Sequence, residues 1–185
     1  MKKLLLIILI SLSIFSCKEP PTPTPIDIPP IVLQKHELGE LWGGGIVIYL
    51  SDTSKTHGFV VSNFDIGNQV QWGCSMLYPN NKTDINYGKL NTYNIITYCN
   101  TPGIAAKLCY DYKVDKFDDW FLPSLDELNL LYLNKKYVTN WSDAYKYWSS
   151  SQLNSYSIYV KDWSDGKQYI ITPTSKINVR AIRSF

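Results

Sequence analysis

Residues 118–128 read Asp-Asp-Trp-Phe-Leu-Pro-Ser-Leu-Asp-Glu-Leu, an apolar run that stops at a proline and then changes character. Ser124 is followed three residues later by Glu127, which is the spacing of a capping box, where each side chain bonds a backbone N–H of the first helical turn. Apolar residues then recur at helical spacing. This stretch predicts a buried strand that ends at Pro123 and a helix over 124–133.

Strand signals lie on both sides of this helix. Apolar and alternating runs predict strands over 46–50, 59–61, 147–150, 155–160, 168–172 and 179–185, with hairpins formed by the first two and by 155–172. Short helices are predicted over 91–98 and 103–112. Strands at both ends with helices between them indicate an α+β domain, with a mainly antiparallel twisted sheet and two or three short helices.

Two irregular stretches have different interpretations. The triplet Gly43-Gly44-Gly45 precedes a strand and has no following Gly-Lys-Ser/Thr, so we interpret it as close backbone packing or a bulge rather than a phosphate loop. Residues 63–90 are rich in Asn, Gly, Asp and Tyr, with Trp72 as the expected buried anchor. An irregular stretch of this length inside a compact domain is typically a functional loop.

The N-terminus predicts export and a lipid anchor. Lys2 and Lys3 precede an apolar run over 4–15, which is the pattern of a secretory signal peptide and is too short to span a bilayer. Cys17 follows Ser16, and this arrangement resembles the bacterial lipobox, where the cysteine is lipidated and becomes the mature N-terminus. We therefore expect a signal peptide over 1–16 and lipidation at Cys17. An ordinary signal peptide with an incidental cysteine is the alternative.

A tether separates this anchor from the folded domain. Residues 17–30 contain six of the ten prolines of the chain, a composition that favours an extended polyproline II conformation of about 3.1 Å per residue. The tether reaches roughly 40 Å by that rise, and the domain occupies 31–185. Lys18 after the cysteine is compatible with sorting to the outer membrane, so we expect a protein of the cell envelope. The sequence is compatible with a domain on either face of that membrane.

The distribution of charged residues limits the classes of binding partner that the sequence predicts. Without Lys2 and Lys3 the chain has 16 basic and 16 acidic residues, but the basic residues concentrate after residue 134. A basic face toward an anionic polymer is one interpretation, and charges mixed over the surface are the other. No nucleic-acid motif is present, and we expect no nucleic-acid partner.

Three cysteines remain in the predicted domain. An oxidising compartment favours a disulfide, which leaves one thiol over. We prefer Cys99–Cys109, which would close a short loop; Cys74 with either partner, or three free thiols, are the alternatives. We expect no zinc site, because only His36 and His57 are available and no Cys-x-x-Cys occurs.

The motifs together resemble a known family, the Lcl C-terminal-like domains, and their relative, the Fibrobacter major paralogous domain. The matching segments are 43–47, 103–109, 119–128, 147–150 and 179–183, and in order and spacing they cover residues 38–185. The resemblance implies a C-type-lectin-like fold, related to that of the formylglycine-generating enzymes. It also implies a surface or secreted bacterial protein, since the founding type is an adhesin for sulfated glycans. It carries over no catalytic residue.

The resemblance leads us to expect a non-catalytic module for adhesion or for recognition of a glycan or protein ligand. Aromatic side chains would stack on sugars and cations would pair with sulfates. The candidate contacts are Trp141, Trp163, Tyr169, Lys161, Lys167, Lys176 and Arg180, with Tyr145 and Arg183 as additional members. For each of these side chains, packing in the fold is the alternative.

Other functions remain open on the sequence. The protein could be a structural partner in an envelope assembly. An enzyme of the formylglycine-generating type would need a reactive, copper-binding cysteine pair. We expect no cofactor; calcium-dependent sugar binding would need clustered oxygen ligands, and the run 140–143 matches the lectin Trp-Asn-Asp element only loosely. Oligomeric state is not indicated.

Overall fold

The computed structural model describes residues 33–75, 81–141 and 145–185. The helices are α1 (Gly88–Tyr98), α2 (Ala105–Asp111) and α3 (Leu125–Leu133), followed by a 3-10 turn at Lys135–Tyr137. The strands are β1 (Leu41–Trp42), β2 (Gly45–Leu50), β3 (Gly58–Val61), β4 (Gly67–Val70), β5 (Lys146–Asn154), β6 (Ser157–Asp162), β7 (Gln168–Ile171), β8 (Ile177–Val179) and β9 (Ile182–Ser184). The domain is therefore α+β with three helices, as predicted.

Two sheets organise the domain. The four-stranded sheet has the order β1-β2-β3-β9 and the five-stranded sheet the order β4-β8-β5-β6-β7. Every strand pair is antiparallel except β5 with β8, which run parallel through Tyr147 and Asn178. The predicted hairpins are confirmed as β2–β3 and β6–β7.

Helix α3 begins as its sequence predicts. The Ser124 hydroxyl accepts from the Glu127 N–H, and the Glu127 carboxylate accepts from the Ser124 N–H at 2.7 Å. The same carboxylate also accepts from the backbone N–H of Asn86 at 2.8 Å. Burial raises the pKa of Glu127. This one side chain therefore ties the start of α3 to the loop that leads into α1.

The interior explains two sequence features. Trp72 is fully buried and its indole N–H donates to the Ser149 carbonyl at 2.8 Å, as expected for an anchor. A Cβ on Gly45 would lie 2.1 Å from the Val61 carbonyl oxygen. The last glycine of the triplet is thus required by close packing of β2 on β3.

Two strand predictions need correction. The segment before Pro123 forms no extended strand; Phe121 makes an isolated bridge with Ile182. The predicted strand over 179–185 is broken into β8 and β9, which belong to different sheets. Arg180 lies in the break and is fully buried, so the chain crosses from one sheet to the other at this residue.

The prediction of a Cys99–Cys109 disulfide is also wrong. Cys74 pairs with Cys99, with Cα atoms 5.6 Å apart, which is an ordinary distance for a disulfide. Cys109 is free and buried, because α2 turns this side chain into the core. Burial raises the pKa of the Cys109 thiol, which keeps it protonated.

Residues 1–32, with the predicted signal peptide, Cys17 and the whole tether, lie outside the described residues. Within the described ranges, none of the helices has the length and apolar character to cross a membrane.

Candidate functional site

Three of the seven predicted ligand contacts are buried. Trp163 and Arg180 expose none of their surface, and Lys161 almost none. Lys161 lies beneath α3, where its Nζ donates to Asn129 Oδ1 at 2.7 Å. The prediction that these three side chains contact a ligand is therefore wrong for this fold. Arg183 is also buried, and its Nε donates to Asp119 Oδ1 at 2.6 Å.

The other four predicted contacts reach the surface. Lys167 and Lys176 are exposed, Trp141 is half-buried, and Tyr169 is 38% exposed. Trp141 and Lys176 line adjoining clefts at one end of the five-stranded sheet. Two of the residues predicted from the sequence therefore line clefts, and their contact with a ligand stays a prediction.

The larger of these clefts has a volume of about 540 Å³, and we call it the amide cleft. Its lining combines aromatic rings, side-chain amides and one carboxylate: Phe64, Asp65, Asn68, Gln69, Asn140, Trp141, Tyr145 and Asn178. The segment 63–70, the end of β8 and the residues before β5 bring these side chains together.

Arg180 does not line the amide cleft but bonds residues that do. Its Nε donates to Asp65 Oδ1 at 2.5 Å and its Nη1 donates to the Ser62 carbonyl at 2.7 Å. Its Nη2 donates to the Asn140 carbonyl. A single buried guanidinium therefore fixes two of the segments that line the cleft.

Asp65 is held from a second side. Its Oδ2 accepts from Asn178 Nδ2 at 2.9 Å and from the Tyr147 hydroxyl at 3.2 Å. Both carboxylate oxygens are thus engaged, and the buried charge of Arg180 is balanced by hydrogen-bonded contact. The hydrogen-bonded network therefore fixes the position of the Asp65 carboxylate in the cleft lining.

Trp141 is held between other groups. The guanidinium carbon of Arg180 lies 4.2 Å from the centre of its ring, and the ring of Trp163 lies 4.6 Å away. These contacts leave little of either face for a ligand. The aromatic surface open to the amide cleft belongs instead to Phe64, which is 65% exposed, and to Tyr145, which is 43% exposed.

Two amides are free to bind a ligand. Among the described residues, the exposed side chains of Asn68 and Gln69 have no hydrogen-bond partner, and each offers donors and an acceptor. Gln69 has a φ of 55° and lies at an irregularity in the β4–β8 pairing. A non-glycine residue in this conformation costs energy and is enriched at functional sites.

The smaller cleft, of about 190 Å³, is called here the lysine cleft. It is lined by Gln69, Tyr145, Lys146, Lys176, Ile177 and Asn178. Lys146 is paired with Asp162, and this hydrogen bond raises the pKa of Lys146. Lys176 has no carboxylate partner within the described ranges, so its charge is available to an anionic group.

A third cleft, of about 450 Å³, lies elsewhere, between α1, α2 and the segment 113–121; we call it the helical cleft. Tyr93 and Tyr110 form its exposed aromatic surface. Its carboxylates are already paired: Asp111 with Lys107, Asp118 with Lys113 and Asp119 with Arg183.

The amide cleft combines several kinds of group that can contact a polar ligand. Within ranges 33–75, 81–141 and 145–185, no group of three or more His, Cys, Asp or Glu side chains is placed to hold a metal ion. The amide cleft offers aromatic surface, amides that can both donate and accept, and a nearby cation. Pockets for small polar ligands combine such groups.

Sequence reasoning missed most of the amide cleft. Phe64, Asp65, Asn68 and Gln69 lie in the irregular stretch 63–90, which composition had indicated as a functional loop. Asn178 carried no signal, because it lies in a strand whose neighbours are distant in sequence.

Comparison with known proteins gives distant similarity in structure alone. No family model matches the chain, and no curated protein matches it. A solved fimbrial protein from Bacteroides ovatus is similar in structure, with a TM-score of 0.49 and 15% sequence identity. The similarity covers 75% of this chain and 43% of that protein, so the chain spans less than half of its length.

Proposed function

We propose that this protein is a non-catalytic binding module of the cell envelope, anchored by lipid at Cys17, that recognises a glycan through the amide cleft. The observation that carries the proposal is the combination in that cleft of open aromatic rings (Phe64 and Tyr145) with unpaired amides (Asn68 and Gln69). Sugars present both hydroxyl groups and apolar faces, and this lining is complementary to both.

The charge of the neighbouring lysine cleft supports an anionic glycan. Lys176 has no carboxylate partner in the described part of the chain, and Lys146 lies beside it in the same lining. A sulfate or carboxylate group on a sugar would pair with the Lys176 ammonium group, most strongly at low salt.

A glycan array probed with the purified full-length chain tests the proposal. We expect binding that weakens about fivefold in Tyr145→Ala, since a lost aromatic contact is worth about 1 kcal/mol. Tyr156→Ala is the matched control, because Tyr156 is also exposed but lies in the β5–β6 turn. Absence of binding, or equal loss in both variants, would contradict the proposal. Adding calcium or chelator should change nothing.

The anchor has its own test. We expect the Cys17→Ala variant to move from the detergent phase to the aqueous phase in cell fractionation, because lipid chains supply the membrane affinity. Mass spectrometry of the mature N-terminus should find acyl groups on Cys17. An unmodified cysteine would contradict the proposed lipid anchor and would not affect the proposal of a glycan site.

A partner in an envelope assembly is the second candidate. Leu90, Tyr93, Tyr98 and Tyr110 place exposed apolar surface on or beside α1 and α2, and such clustering often marks protein contacts. Crosslinking in cells should then capture an envelope protein in wild type but not in Tyr93→Ser.

We expect no enzymatic activity of the formylglycine-generating type. That chemistry needs a pair of reactive thiolates, whereas Cys74 and Cys99 are joined and Cys109 is buried. Turnover of a peptide thiol by the purified chain would contradict this part of the proposal.

A further inference from the structure

The amide cleft and the lysine cleft form one continuous depression. Both are lined by Gln69, Tyr145 and Asn178. A ligand that fills one cleft can therefore extend directly into the other. This depression begins at Phe64 and passes Lys146.

The strand register brings further residues into line with this depression along one end of the five-stranded sheet. At this end of the sheet, residues on neighbouring strands are paired. The pairs are Val70 with Ile177, Asn178 with Tyr147, and Lys146 with Asp162. The Asp162 N–H then donates to the Lys167 carbonyl at 2.9 Å at the start of β7. Five strands at roughly 4.8 Å spacing give a row about 19 Å long.

Tyr169 stands at the far end of this row. Lys146 Nζ lies 5.1 Å from the centre of its ring, and the Tyr169 hydroxyl donates to Asp165 Oδ2 at 2.8 Å. The ring is therefore oriented by two contacts and still presents surface to solvent. Because β7 is the last strand of the sheet, the row is open at this end.

We propose that these features form one binding track for an internal stretch of a linear glycan chain, with aromatic contacts at Phe64 and Tyr145 on one side, cations at Lys146 and Lys176 in the middle, and Tyr169 at the far end. The inference rests on the proposed glycan function and specifies its ligand as a polymer. A single sugar or a chain end would occupy only the amide cleft. An extended chain reaches both aromatic groups.

Chain-length dependence of affinity tests this inference. Calorimetry of the full-length chain with chitin-derived and heparin-derived oligosaccharides, from disaccharide to octasaccharide, provides a neutral and an anionic series. We expect affinity to rise about tenfold once a ligand spans the row and then to level, as one added aromatic contact implies. Heparin binding should weaken as salt rises.

Variants at Tyr169 test whether this residue causes the dependence of affinity on chain length. Tyr169→Ala should lose about tenfold in affinity for the octasaccharide and leave the disaccharide unchanged. Tyr169→Phe keeps the ring and should keep the length dependence. Ile170→Ala, at an exposed neighbour on the opposite face of β7, is the matched control.

The outcomes separate the two proposals. Affinity that is independent of chain length, or Tyr169→Ala weakening both ligands equally, overturns the track and leaves a compact glycan site. Absence of binding in both series removes the glycan function and the track together.

Discussion

The guanidinium carbon of Arg180 lies 4.2 Å from the centre of the Trp141 ring. The Arg180 side chain is fully buried. The charge is balanced by Asp65, whose carboxylate is in turn held by Asn178. A buried charge that loses its partner is strongly destabilising. The shape of the amide cleft therefore depends on an ion pair whose arginine lies outside the cleft lining.

Replacing Arg180 with Met should lower the free energy of unfolding by about 3–5 kcal/mol, because Asp65 would stay buried without its partner. Urea denaturation measures the loss. The double variant Arg180→Met/Asp65→Asn should recover part of it, since the stranded charge is gone. Lys167→Met, at an exposed position, should change stability by less than about 0.5 kcal/mol. An Arg180→Met variant as stable as this control would refute the role of the pair.

Breaking the disulfide should lower the free energy of unfolding by about 3.5 kcal/mol, the loop-closure value for a separation of 25 residues. Cys74→Ser tests this by thermal unfolding, and its transition should no longer respond to reductant. Cys109→Ala keeps the disulfide and should stay sensitive to reductant. Peptide mapping without reduction should yield Cys74 joined to Cys99; a linked Cys109 peptide would show the pairing to be otherwise.

Acid should weaken the fold through Asp162. Burial favours its neutral form, but hydrogen bonds from Lys146 and Ser164 outweigh this and hold the pKa of Asp162 at about 2. A lowered pKa contributes stability that is complete above about pH 4, the ordinary value, and is lost as pH falls toward 2. We expect about 1 kcal/mol, because Lys146 is partly exposed and solvent screens the pair.

Unfolding titrations between pH 5 and pH 2 measure this contribution. Asp162→Asn should flatten the stability profile over that window, and Lys146→Met should flatten it similarly by removing the other partner. An Asp162→Asn profile with the wild-type slope would assign the acid sensitivity to other groups.

Glu127→Gln should lower the free energy of unfolding by about 1–3 kcal/mol, because one acceptor oxygen becomes a donor that faces backbone N–H groups. Those groups belong to Ser124 and Asn86, at 2.7 and 2.8 Å. Asp126→Asn, at the adjacent and less buried position, should cost far less. Hydrogen exchange at Asn86 should accelerate in Glu127→Gln alone; unchanged exchange would show that the loop is held by other contacts.

Local signals predicted the local structure. The capping box at Ser124, the β6–β7 hairpin and the β2–β3 hairpin each depend on residues close in sequence. These elements formed where the pattern placed them. The α+β class followed, because the order of strands and helices is itself a local property.

Long-range packing explains the failures. Alternation in sequence shows a strand but not its sheet, so the division of the last strand into β8 and β9 was missed. Lys161 and Arg180 have charged side chains, which are seldom buried without a partner. Their partners, Asn129 and Asp65, lie far away in sequence.

The candidate site was predicted only in part for the same reason. Composition marked 63–90 as a functional loop, and the aromatic and basic candidates included Trp141 and Lys176. The contact between Asn178 and Asp65 joins residues 113 apart, and no sequence pattern indicated it. Phe64 lacked any periodic or motif signal.

The divided end of the chain has a consequence for biogenesis. β8 lies between β4 and β5, and β9 completes the other sheet beside β3. Until residues 177–184 have been synthesised, the first sheet lacks an interior strand and the second lacks an edge strand. Neither sheet can therefore be completed early in synthesis, and a stop codon at position 176 would yield a product in which both sheets are incomplete.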